Sequence, residues 1–297
     1  MSDKSPTPLV NFNPTEPISK LVEAVRGAVG TLYEPTRIRR KAEAEADAAK
    51  IAAKTEVDIA KIKLEGIPEL QELALRANER INYRELRRQR NIESVVSKAV
   101  HQLPESVSDE KVDEDWIVQF FNYAQDVGNE EMQTLWARLL AGEVAEPGSF
   151  SLRTLHTIKM LSPFDAALFE HLCNYLWNES IYLSFDSVSS ETQAWLNDKR
   201  LSNNNLLHLE SLNCITGAGR VIQPLPDDPL EVDYFGKRYR FCVPEDNESP
   251  ESLWGISMQQ LTKVGEELRT LCDPEPDEEY CNALVQSWRR DYEVHAI

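Results

Sequence analysis

The chain lacks any long apolar run: no stretch approaches the ~18–20 consecutive apolar residues that a membrane-spanning helix needs. Met1 to Val10 is polar and carries prolines at 6 and 8. It has neither the basic start nor the apolar stretch of a secretory signal, so the expected location is the cytoplasm. Cysteine is scarce, with five residues at 173, 214, 242, 272 and 281 and no C-x-x-C pair. An odd count at wide spacing argues against a disulfide framework and fits a reducing compartment. The five histidines are scattered without an H-x-x-x-H pair, so no metal site is expected. Phosphate-binding, dinucleotide-binding, serine-hydrolase and zinc-protease motifs are all missing. The segment Thr216-Gly217-Ala218-Gly219-Arg220 reads as a loop, because no helix follows to aim amides at a phosphate. No catalytic residue and no cofactor is therefore assigned, and a non-enzymatic role is expected.

Charge is abundant and unevenly placed. The net charge is −18; Glu34 to Val100 carries 15 basic and 12 acidic residues, whereas His101 onward carries 14 and 35. An acidic C-terminal two-thirds repels phosphate backbones at long range, which disfavours nucleic acid as a partner.

The fold class read from the pattern is mainly α, with long N-terminal helices, a central helical bundle and a C-terminal α/β winged-helix-like unit. Residues 1–16 read as a flexible tail. Residues 17–100 read as a helical arm and candidate oligomerisation region. Within it, Ile18, Leu21, Val22, Val25 and Val29 form one helical stripe. Positions 48, 52, 55, 59 and 62 form a thin coiled-coil seam. A further helix over about 68–100 carries Arg76, Arg80, Arg84, Arg87, Arg88 and Arg90. Those arginines either pair with Glu72, Glu79 and Glu85, dock on an acidic surface, or contact phosphates. The 18–41 segment, an apolar stripe followed by Arg37, Arg39, Arg40 and Lys41, also fits peripheral contact with an anionic membrane.

Residues 104–180 read as a bundle of four amphipathic helices, with breaks at Gly128, Glu146-Pro147-Gly148-Ser149 and Ser162-Pro163. Trp116, Phe120, Leu135, Trp136 and Leu139 are core or interface candidates, while Arg138 and Glu143 are placed on one exposed face. Residues 181–297 mix strands at IYLSF, GRVIQPL, KRYRFCV and GISMQQLT with helices over 203–215, GEELRTL and 280–290. The tetrad Leu261, Thr262, Gly265 and Leu268 follows a pair of strands, as in a winged-helix-like unit, with Lys237, Arg238 and Arg240 on its wing.

The block Asp126 to Glu143 (DVGNEEMQTLWARLLAGE) resembles the D-E-E-M-Q-x-L-W-A-x-L-L-A-x-E signature of an uncharacterised bacterial family. It is similar as well to the abortive-infection alpha group, which is associated with phage defence. Pro147 to Ser151, Leu161-Ser162-Pro163 and the N-terminal Leu32-Tyr33-Glu34-Pro35 continue the likeness. The resemblance implies a setting in defence and supplies no catalytic residues. The expected function is an oligomeric interaction protein acting through a protein partner. The alternative is a nucleic-acid-binding regulator that uses the arginine-rich helix or the winged-helix-like unit. The candidate contact residues are the arginines at 76, 80, 84, 87 and 88, with Trp136, Arg138, Glu143, Lys237, Arg238 and Arg240.

Overall fold

A computed structural model describes residues 15–29, 68–179, 181–183, 190–216, 220–222, 229–244, 256–289 and 292–297. The expected coiled-coil seam at 48–62, the basic cluster at 37–41 and the Leu32 to Pro35 motif lie outside those residues. The chain divides into two compact units, residues 1–152 and 153–297. The described residues are mainly helical, and the strands fall in the second unit. No described helix is long and apolar enough to cross a membrane.

The first unit is built from α1 (Glu16–Val29), α2 (Pro68–Val100), α3 (Glu114–Ala124) and α4 (Glu130–Ala145). Helix α1 packs on α3 and α4, and α2 packs mainly on α4. The sequence reading groups α1 with the arm and divides the chain near 180. In the structure α1 joins the bundle, since its stripe residues Leu21 and Val25 are buried. That part of the 18–41 stripe is occupied by core packing. The division falls at Leu152, and the helix that follows is tied to the C-terminal part of the second unit, where the Thr154 hydroxyl donates to Glu267 at 2.6 Å.

Local signals explain where these helices start. Asp113 accepts the Trp116 amide and Asn129 accepts the Met132 amide, each as a helix N-cap. The period of three and four buries Trp116, Phe120, Trp136 and Leu140. Phe120 stacks on Trp116 at 5.3 Å and meets Trp136 edge-on at 5.2 Å.

The second unit contains α5 (Leu152–Met160), α6 (Pro163–Cys173), β1 (Leu176–Trp177), β2 (Ile181–Leu183), α7 (Ser190–Asp198) and α8 (Asn203–Ser211). These are followed by β3 (Arg220–Ile222), β4 (Leu230–Tyr234), β5 (Lys237–Cys242), β6 (Ile256–Gln260), α9 (Lys263–Arg269), α10 (Glu278–Trp288) and β7 (Glu293–Ala296). Two antiparallel sheets result, ordered β1-β2-β6-β3 and β4-β5-β7. The β4–β5 hairpin is inserted between β3 and β6, which pair with each other. Leaving the hairpin aside, the order is helix α6, strand β2, helices α7 and α8, then strands β3 and β6, with β6 central.

The structure differs from the sequence reading on β5. KRYRFCV is a strand, but it pairs with β4 and β7 rather than with the GISMQQLT strand. The hairpin turns at Phe235-Gly236, both at positive φ, which is the backbone twist favoured in two-residue β-hairpins. The tetrad also has a physical role. Leu261 bridges to Ile215, and the Thr262 hydroxyl caps α9 by accepting the Gly265 amide at 3.0 Å. A side chain at Gly265 would place its Cβ 2.0 Å from the Cys214 carbonyl oxygen, so only glycine lets α9 approach so closely.

Candidate interaction surface

Helix α2 has 33 residues and two different halves. From Asn91 to Ala99 it is packed: Ile92, Val95, Val96 and Ala99 are buried. A polar lock fixes this half to α4. Gln133, itself buried, accepts from the Ser94 hydroxyl at 2.7 Å and donates to the Val127 carbonyl at 2.9 Å. Asn91 donates to the Gln125 carbonyl at 2.8 Å, and Lys98 donates to the Glu130 carbonyl at 3.0 Å. Buried amides satisfied in this way specify one register between helices.

From Leu70 to Arg87 the helix is exposed or, at Ala77, half-exposed, wherever its side chains are described. Six large apolar side chains stand in water there: Leu70, Leu73, Leu75, Ile81, Tyr83 and Leu86. Tyr83 is 73% and Leu86 62% exposed.

The arginines fall into two groups. Arg88 grips Asp126 through both arms of its guanidinium, at 2.8 and 2.9 Å, and Arg87 approaches the same carboxylate at 3.8 Å. The hydrogen bond from Arg88 holds the Asp126 carboxyl below its usual range, against a smaller opposing effect of burial. Arg84 pairs with Glu85 at 2.9 Å. Arg76 and Arg80 are exposed and form no ion pair with a described residue. Arg88 thus has a structural role at the base of the projecting half, while Arg76 and Arg80 are exposed.

Two candidates from the sequence are corrected. Trp136 is fully buried beside Phe120 and cannot meet a partner. Glu143 is 1% exposed, not surface-lying. Its carboxylate accepts the amides of Gly148 at 2.7 Å and Phe150 at 3.0 Å, so it holds the turn that ends α4. Gly142 belongs to the same device, because a Cβ there would meet the Phe150 ring at 2.8 Å. The signature block is therefore an instruction for packing: cap, lock, core residue and turn anchor. Arg138 is half-exposed on α4.

The basic residues of β5 are largely neutralised. Lys237 pairs with Glu278, and Arg240 pairs at 2.7 Å with Glu231, its cross-strand neighbour. Arg238 is exposed.

One polar cluster escaped the sequence reading because its members are far apart in the chain. Lys199 sits between Asp277 at 2.7 Å and Glu279 at 2.9 Å, above the Trp195 ring. Tyr175 contacts His171 and Asp277, both at 3.4 Å. Burial pushes the Tyr175 phenol up to about 12, helped by the Asp277 charge. Burial also opposes charge on Lys199, but its hydrogen bonds to the two carboxylates outweigh it, and its pKa rises. Asp277 additionally caps α10 by accepting the Tyr280 amide at 2.9 Å. These groups satisfy one another and fix the α10 start. Among the described residues no three His, Cys, Asp or Glu side chains converge as a metal site.

Residues 75–285 match the family described as Protein of unknown function (DUF2806), and the chain belongs to that family. No curated protein and no solved structure matches the chain significantly.

Proposed function

We propose that this protein is a self-associating interaction protein of the cytoplasm, and that it acts by binding partners rather than by chemistry. The observation that carries this reading is the projecting half of α2. Six large apolar side chains in water along one helix imply a surface that is covered in the working assembly. The polar cluster around Lys199 supports the non-enzymatic side, since its groups are spent on one another. Light scattering coupled to size exclusion tests the reading. An oligomer of the full chain at micromolar concentration is expected, and a monomer throughout would overturn it.

The likeness of residues 126–143 to the abortive-infection alpha group favours bacterial antiviral defence as the setting. Plaque counts on cells with and without the gene test that part; equal counts across a phage panel would remove it.

A second reading is a nucleic-acid-binding regulator. It is favoured by the winged-helix-like order of α6, β2, α7, α8, β3 and β6, with β6 between β2 and β3, and by the exposed Arg76 and Arg80, which form no ion pair with a described residue. Against it stand the acidic balance beyond residue 100 and the exposed Leu207 on α8, the helix that would enter a groove. A mobility shift with duplex DNA at low salt would support this reading, and its absence there would exclude it.

A further inference from the structure

We propose that Cys173 and Cys272 form a modification site, a pair of thiols that hydrogen peroxide closes into a disulfide. Both cysteines are free in the structure.

The fold of the second unit brings the pair together. Cys173 is the last residue of α6. Cys272 lies in the turn after α9, where its amide donates to the Arg269 carbonyl at 3.1 Å. Two contacts hold these helix ends side by side. The Asn174 side chain, next to Cys173, accepts the Glu275 amide at 2.9 Å. On α9, Glu267 accepts the Thr154 hydroxyl at 2.6 Å, which ties α9 to α5, the helix that leads into α6. In the resting pair the Cys173 thiol hydrogen-bonds to Cys272, and the Cys272 thiol donates onward to the Leu268 carbonyl at 3.5 Å.

Exposure divides the roles. Cys272 is partly exposed, whereas Cys173 is fully buried. Peroxide therefore meets Cys272 first, and Cys173 acts as the resolving thiol. The hydrogen bond to Cys272, with burial next, holds the Cys173 pKa well above the ordinary thiol range. Arg269 works in the opposite direction, since its charge favours a thiolate at Cys173 more than Glu170 disfavours it. The Arg269 Nε is buried and has no hydrogen-bond partner among the described residues. A guanidinium beside two thiols attracts a thiolate and repels a metal cation, so the pair is suited to oxidation rather than to metal binding. Cys214 is a rival partner, since it is buried and close enough to Cys272 to feel its charge. Its Sγ is turned to its own loop, where it donates to the Leu212 carbonyl at 3.8 Å.

The chemistry balances with the peroxide as oxidant. The Cys272 thiolate attacks one peroxide oxygen. An S–O bond forms, the O–O bond breaks, and the leaving hydroxide takes up the proton that Cys272 lost, giving water. Cys272 is then a sulfenic acid, oxidised by two electrons. Its negative charge is gone, which removes one obstacle to ionising Cys173. The Cys173 thiolate next attacks the Cys272 sulfur. The S–S bond forms, the S–O bond breaks, and the second hydroxide leaves as water with the Cys173 proton.

The test uses the full chain and hydrogen peroxide. After the remaining thiols are blocked, peptide mapping should show Cys173 linked to Cys272, and dithiothreitol should reverse the link. The thermal unfolding midpoint of the treated chain should rise, because the bond closes a long loop of the second unit. Cys173→Ser should lose the link and leave a sulfenic acid at Cys272 that dimedone traps. Arg269→Gln should slow the link about tenfold. Circular dichroism checks that each variant folds. The unmodified chain supplies a measurement that needs no variant: the link should form about tenfold faster in folded chain than in urea, where the contact is lost. No link at peroxide concentrations that oxidise free glutathione would overturn the proposal. So would a link from Cys272 to Cys214, or equal rates in folded and unfolded chain.

Discussion

Residues 70–87 and 91–100 are parts of one helix, yet they obey different rules. The second part buries Ile92, Val95 and Ala99 and locks its register through Asn91 and Gln133. The first part carries six large apolar side chains but leaves them in water, among arginines. Continuity of the helix does not require cover, because its backbone hydrogen bonds are internal and Leu, Arg, Glu and Gln lose little side-chain entropy in it. Cover is needed only for the apolar surface. Where the chain itself supplies it, the helix is core. Where the described residues do not, the apolar side chains stay exposed.

The contrast can be broken most strongly from the packed side. Trp136→Ala should destabilise the first unit by about 3–5 kcal/mol in denaturant unfolding, through the lost aromatic contacts and the cavity left behind. A loss under 1 kcal/mol would mean that this core is not the one described. Glu143→Ala comes next, with an expected loss of about 1–3 kcal/mol, because the amides of Gly148 and Phe150 lose their acceptor. Gly265→Ala should cost a comparable ~1–3 kcal/mol, read in the unfolding of the second unit, since its Cβ would collide with the Cys214 carbonyl.

Arg88→Ala tests the boundary between the halves, and its effect should be smaller. The Asp126 carboxyl titrates below its ordinary value of 3.8 because of Arg88. A depressed carboxylate contributes stability that is fully present above the unfolded pKa and is lost as pH falls through the folded one. The difference in midpoint between the parent chain and Arg88→Ala should therefore be present at neutral pH and vanish in strong acid. A difference that grew on acidification would contradict the pairing. Least of all, Leu86→Ser in the projecting half should shift the unfolding of monomeric chain by no more than about 0.5 kcal/mol, while reducing association.

Much of the first unit was legible in the sequence. The three-four pattern put Trp116, Phe120 and Trp136 among core or interface candidates, and all three are buried. The exposed assignment of Glu143 failed because helical spacing ranks a glutamate as surface. Only the returning turn at Gly148 to Phe150 supplies the two amides that hold the carboxylate inside. Strands β4 and β7 and helix α7 were missed for a related reason. Each is short, and β4 and β7 are recognisable only through their pairing with β5. The Lys199 cluster joins residues about a hundred positions apart in the chain, a relation that no local spacing encodes.

The sequence by itself determined most of the helical elements, the arginine-rich character of α2 and the Leu-Thr-x-x-Gly junction, because these depend on propensity, periodicity and contacts within a few residues. Only the tertiary structure decided which half of α2 is covered, and that the β4–β5 hairpin forms its own sheet with the C-terminal strand. Burial and strand pairing are set by which distant segments meet, and that meeting buried one half of a continuous helix and left the other half exposed.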